Sequence, residues 1–259
     1  MIYIGTSGFS YDDWVGHFYP DKIQKRDMLR YYAQHFKAVE LNFTYYRMPN
    51  ATTLAQMSAK TPDDFQFVVK ANSLMTHERE TDPAVFQQFC EALEPLISAD
   101  KFGCILAQFP YSFGPSSRSA DYVRFLREQI PELPVVVEFR NRQWVGQETF
   151  DLLTELDLGY CCVDEPPLRG LMPRVAVATS DTGYVRFHGR NAEQWWEHEH
   201  AWQRYDYLYS EEELREWVGK VQAVAERTCR THVFFNNHYQ GKAALNASLF
   251  EQMLGGDSE

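Results

Sequence analysis

Short apolar or β-branched runs recur along the chain at residues 2–7 (IYIGTS), 38–46 (AVELNFTYY), 65–71 (FQFVVKA), 103–110 (GCILAQFP), 134–140 (PVVVEFR), 159–166 (GYCCVDEP), 183–190 (GYVRFHGR) and 231–237 (THVFFNN). Each has the length of a buried strand. The segments between them change period. Met28, Tyr32 and Phe36 repeat every four residues, as do Val85, Phe89 and Leu93, and Tyr122 with Leu126 and Leu214 with Val218 keep the same step. Ser210 followed by Glu213 has the capping-box spacing that opens a helix. Near the end, Leu245, Leu249 and Met253 form one stripe and predict a closing helix that buries it.

Strand followed by helix demands a parallel sheet covered by helices. Eight such units in a chain of 259 residues suit a closed (β/α)8 TIM barrel, with an open doubly wound sheet as the alternative, because periodicity does not report closure. No short repeat or Gly/Ser linker interrupts the pattern, so one domain is expected over residues 1–259.

The phase of the polar positions inside the strands is more telling. Residues two apart share a face of a barrel strand. On the fifth strand Val136, Glu138 and Arg140 share a parity, with the charges at the C-terminal end. The second strand does the same with Glu40 and Asn42, and the seventh with Arg186 and His188. Lys70, Gln108, Asp164 and Asn236 end the third, fourth, sixth and eighth. Opposite parity is held by Val39, Leu41, Val69, Val137, Phe139, Val163, Val185, Phe187 and Phe235, suited to packing beneath helices. Barrel enzymes gather their active sites at the C-terminal strand ends, so these polar side chains predict a site at that mouth.

Composition narrows the partners. The formal charge is −11, which leaves no global basic field to hold nucleic acid or an anionic membrane, so any anion must be held locally. The five cysteines are odd in number and never spaced C-x-x-C, which argues against a disulfide framework and a cysteine zinc site. Neither a signal-peptide pattern nor a membrane-length apolar run occurs, so a cytoplasmic location without membrane partners is expected.

Glu40, Glu138 and Asp164, with His188, are the candidates for acid–base catalysis, since neighbouring cations and burial push carboxyl groups apart in pKa. Lys70, Arg140, Arg186 and Arg190 suit an anionic ligand such as a sugar phosphate or nucleotide-like group. Ser7, Asn42, Tyr45, Gln108, Asn236 and Asn237 complete the expected binding set. The glycine-bracketed GTSG turn (5–8) could add backbone N–H groups. Glu40, Glu138, Asp164 and His188 could also assemble an oxygen-rich site for a divalent metal, although no H-E-x-x-H spacing occurs. An aromatic insert at residues 191–210 supplies rings that either stack on a ligand or pack onto the barrel rim.

The same stretches carry a resemblance. IGTSGFSYDDWVGHFYP (4–20), VELNFTYYRMP (39–49), FVVKANSLMTH (67–77), LAQFP (106–110), VVVEFRNRQW (135–144), YVRFHGR (184–190) and VFFNNHYQGKAALNA (233–247) resemble the successive signatures of the YecE-like family, also called domain of unknown function 72, over residues 4 to about 254. The resemblance implies a TIM barrel and brings no known reaction. Fold analogy to endonuclease IV and xylose-isomerase barrels implies nucleic-acid repair or divalent-metal chemistry as an alternative. Phe9 stands where Trp is common in the family, and His238 where an acidic residue is more usual.

Overall fold

The computed structural model describes residues 1–256. Eight parallel strands close in sequence order: β1 (Ile2–Ser7), β2 (Ala38–Leu41), β3 (Gln66–Lys70), β4 (Phe102–Gln108), β5 (Val135–Glu138), β6 (Gly159–Asp164), β7 (Thr182–Phe187) and β8 (Arg230–Phe235), with β8 pairing back onto β1. Closure decides against the open sheet. The outer layer is α1 (Lys25–Tyr32), a short α2 (Phe43–Tyr46), α3 (Ala51–Ser58), α4 (Pro83–Ile97), α5 (Ser117–Gln129), α6 (Gln147–Glu155), α7 (Glu211–Ala225) and α8 (Lys242–Gly256).

Three departures from the expected pattern have local causes. The second run stops as a strand at Leu41, because the Thr44 hydroxyl donates to the carbonyls of Leu41 (3.0 Å) and Lys70 (2.6 Å) and winds residues 43–46 into α2. Between β6 and β7 there is no helix. Residues 165–181 carry Pro166, Pro167 and Pro173, and they cover the outer face of β6 as an irregular segment, with Val177 N–H donating to Cys162 Sγ and the Thr179 hydroxyl to the Leu158 carbonyl. On α8 the stripe of Leu245, Leu249 and Met253 is not the buried one. Leu245 is half exposed, while Ala243, Ala244, Ala247 and Phe250 face the barrel, where small side chains let the helix approach closely. The other periodic residues behave as core: Met28, Tyr32, Phe89, Leu93, Tyr122, Leu126, Leu214 and Val218 are buried, and the Ser210/Glu213 capping box closes reciprocally on α7.

Among the described residues no helix is long and apolar enough to cross a membrane. All five cysteines are free.

Candidate functional site

Strand register fixes which side chains meet inside the barrel. Ser7 lies beside Glu40, Glu40 beside Val68, and Gln108 beside Glu138, and Ser7, Glu40, Gln108 and Glu138 face inward. Arg186 crosses the interior. Its Nη2 and Nε donate to Glu40 Oε1 (2.7 Å) and Oε2 (3.0 Å), its Nη1 donates to Glu138 Oε2 (3.0 Å), and the Tyr184 hydroxyl donates to Glu40 Oε2 (2.6 Å). His188 Nε2 lies 3.0 Å from Glu138 Oε1, and Asn236 Nδ2 lies 3.2 Å from His188 Nδ1. With Nδ1 accepting from the amide, the ring proton sits on Nε2 and is donated to Glu138. Burial, with Arg140 next, lowers the His188 pKa to about 3, so the ring is neutral. Arg140 Nε pairs with Glu138 Oε1 without hydrogen-bond alignment, and its Nη1 lies 3.8 Å from Glu165 Oε2. Burial opposes ionisation of Glu138, but Arg140, Arg186 and His188 outweigh it and hold the carboxyl well below the usual range.

Above this plug lies a cavity of about 280 Å3, lined among others by Asn42, Lys70, Gln108, Arg140, Arg186 and Asn236. Lys70 Nζ donates to Gln108 Oε1 (2.8 Å) and stands 4.6 Å from the centre of the Tyr45 ring. Burial, helped by Arg186, lowers its pKa to about 7. Ser7 Oγ and Asn42 Oδ1 are buried without a hydrogen-bond partner. Orphaned polar atoms of this kind are uncommon in folded proteins and ask for a ligand or water.

Not every predicted residue comes to this mouth. Asp164 was expected inward and Val163 outward; the register reverses them. Val163 sits beside the inward Arg186, and Asp164 beside Phe187 on the outer face. There Asp164 accepts from Arg190 (2.8 and 2.9 Å), the Trp217 indole (2.7 Å) and the Tyr209 hydroxyl (2.8 Å), an ionic rivet between the barrel wall and α7. Arg190 shares parity with His188, but Gly189 takes φ +89° and turns the chain away, leaving Arg190 on Asp164, Glu213 and Glu216. Asn237, next to the inward Asn236, points outward to Tyr207 O and Asn246 Oδ1. The GTSG amides are engaged within the fold: Thr6 N–H donates to the Tyr32 hydroxyl and Gly8 N–H to the Glu40 carbonyl.

The carboxylate that the sequence reading missed is Glu165, one residue beyond Asp164 and on the inward parity. Its Oε1 accepts from Met172 N–H (2.6 Å), whereas the buried Oε2 has no hydrogen-bond partner. Burial, only partly offset by Arg140, raises its pKa to about 7. The pair Glu165 and Pro166 at the strand end was the available signal. Because the folded pKa is raised, the penalty for ionising Glu165 is absent below about pH 4.5, grows between pH 4.5 and 7, and is complete above that. Glu165→Gln should therefore leave stability at pH 4 unchanged and raise it by about 1–3 kcal/mol at pH 8, as read by urea unfolding.

The insert at residues 191–210 arches over the mouth. Trp195 and Tyr209 are buried, Trp202 stacks on Tyr239 (4.1 Å), and Tyr207 donates to Glu213, so most of its rings pack onto the rim. Trp196 and Tyr205 remain turned to space. With Tyr111, His77 and Arg204 they line a second cavity of about 260 Å3, which shares Gln108, Arg140 and Tyr205 with the first. His238 also lines the inner cavity, stacked on Tyr11 (4.7 Å).

Of the four residues considered for a metal, Asp164 faces away, and Glu40 and Glu138 are committed to arginines. Among the described residues no group of three or more His, Cys, Asp or Glu side chains is arranged to hold a metal ion.

Fold and site together define a (β/α)8 barrel whose C-terminal mouth is plugged by a buried ion network beneath a polar cavity. The family described as "Protein of unknown function DUF72" matches residues 3–259, and the chain belongs to it. It is 32% identical to the UPF0759 protein YunF of Bacillus subtilis, across 98% of this chain and 95% of that protein. Among solved structures it is similar to a DUF72 family protein from Thermotoga maritima (43% identity, TM-score 0.92, covering 98% and 99% of the two chains). A DUF72 family protein from Enterococcus faecalis is also similar (28% identity, TM-score 0.88, covering 98% and 96%).

Proposed function

We propose that the barrel mouth binds a small polar anion and catalyses proton transfer on it. One observation carries this reading: two arginines, Arg140 and Arg186, offset two glutamates, Glu40 and Glu138, whereas Lys70 has no carboxylate partner among the described residues. A half-buried cation without a counter-charge is costly, and an anionic ligand would supply the missing partner. Asn42, Gln108, Asn236 and Ser7 offer hydrogen-bonding groups around it.

Acid and base roles fall differently from the sequence expectation. Glu40 and Glu138 are fixed by arginine and serve as the rigid floor. Lys70, which lines the inner cavity, is lowered to about 7, the condition for giving and taking protons near neutrality, and Glu165, raised to about 7, stands behind Arg140. The outer cavity suits a ring attached to the anion, held between Trp196 and Tyr205.

Melting temperature and calorimetry with glycerol 3-phosphate and AMP test this. Both ligands should stabilise the fold at low salt, by about 2.7 kcal/mol at a hundredfold excess over Kd. Trp196→Ala should weaken AMP about tenfold and leave glycerol 3-phosphate unchanged. No stabilisation by either compound would contradict the reading, and salt-sensitive binding to abasic-site DNA in their place would favour nucleic-acid repair.

A further inference from the structure

We propose that Lys70 is a nucleophile that forms an imine with its substrate, so that the site takes a small anion bearing a ketone or aldehyde. This rests on the reading of the mouth as an anion site and goes further, by naming a covalent step and the substrate's reactive group.

The comparison with the chain's other well-enclosed lysine is instructive. Lys101 is a structural lysine: its Nζ donates to the Ser58 carbonyl (2.9 Å), the Thr61 carbonyl (2.9 Å) and the Thr61 hydroxyl (3.4 Å), which satisfies all three N–H bonds of an ammonium. Lys70 Nζ has one acceptor, Gln108 Oε1. That acceptor is itself oriented, because Gln108 Nε2 donates to the Phe109 carbonyl (2.8 Å) and so turns Oε1 toward the amine. One acceptor suits a neutral amine, whose lone pair is left free, better than an ammonium with two unmet donors.

The surroundings favour the same state. The Tyr45 ring closes one side, Arg140 and Arg186 line the cavity with the amine, and no carboxylate contacts it among the described residues. An amine enclosed beside other cations is how proteins make lysine nucleophilic at neutral pH, and here burial and Arg186 bring the pKa to about 7. Arg140, which lines the cavity and whose Nε makes no aligned hydrogen bond, would also hold the substrate's phosphate or carboxylate and so place the carbonyl carbon near Nζ.

The step balances without an oxidant or reductant. The Nζ lone pair attacks the carbonyl carbon, the C–N bond forms as the carbonyl π pair moves to oxygen, and a proton passes from nitrogen to that oxygen to give a carbinolamine. The hydroxyl then takes up one further proton and leaves as water while the nitrogen lone pair closes the C=N bond. The product is a protonated imine, an electron sink for proton removal at the adjacent carbon.

Reductive trapping tests this. The full chain would be incubated with dihydroxyacetone phosphate or pyruvate and sodium cyanoborohydride at several pH values, then mapped by peptide mass. The expected result is one adduct, on Lys70, absent from Lys70→Arg, suppressed by glycerol 3-phosphate or lactate, and formed at a rate that rises through about pH 7. Stabilisation by glycerol 3-phosphate with Lys70 unmodified would overturn the imine and leave the anion site standing. Adducts only on exposed lysines, with no stabilisation by any of the four compounds, would overturn both.

Discussion

Arg186→Met should cost the fold about 3–5 kcal/mol, the largest loss expected from any single change at the mouth, because it leaves two buried carboxylates without their shared counter-ion. Arg186 spans from β2 to β5 across the interior, so its removal severs the network that plugs the barrel. The same reasoning predicts recovery. Converting Glu40 to Gln in the Arg186→Met background removes the one carboxylate left with no arginine, while Glu138 keeps Arg140, and should restore much of the lost stability, since a buried ion pair exchanged for neutral groups is often no less stable than the original. Urea unfolding of the single and double variants checks this. A single variant as stable as the parent would mean that the two glutamates are not held by Arg186.

Lys70→Met should act in the opposite sense on stability and abolish function. Anion affinity should fall about a hundredfold or more, as expected when a desolvated charge partner is removed. Stability should rise by about 1–3 kcal/mol at pH 6. The sign follows from the lowered pKa: below about pH 7 the folded protein must carry the enclosed ammonium, and the penalty fades as pH rises from 7 toward 10.5, where the unfolded chain also loses its proton. The advantage of the variant should therefore be greatest at acid pH and vanish above pH 10.5. A residue that destabilises the protein where it sits is the signature of a group kept for function.

Where the sequence alternates apolar and charged residues, it exposes the site. Val136, Glu138 and Arg140, Glu40 with Asn42, and Arg186 with His188 each state their own phase, and the register brings them to one mouth. On β6 the residues Tyr160, Cys161, Cys162 and Val163 are apolar on both faces, so nothing in them sets the phase, and Asp164 was read as inward in place of Glu165. The hydrogen-bond partners of Asp164 are Arg190, Tyr209 and Trp217, 26 to 53 positions away, which no local pattern reveals. Arg190 escaped because a glycine φ breaks the alternation two residues after His188, and Asn237 because adjacent residues of one strand cannot share a face. The special place of Lys70 was not legible either. It depends on which cations lack carboxylates, a matter of three-dimensional pairing.

The most direct measurement is the pKa of the Lys70 amine by side-chain NMR, with and without saturating glycerol 3-phosphate. A value near 7 in the free protein that moves upward when the anion binds is what the unpaired cation requires. A value near the ordinary 10.5, unchanged by the anion, would show that Lys70 already has its partner and that the mouth is not built to receive one.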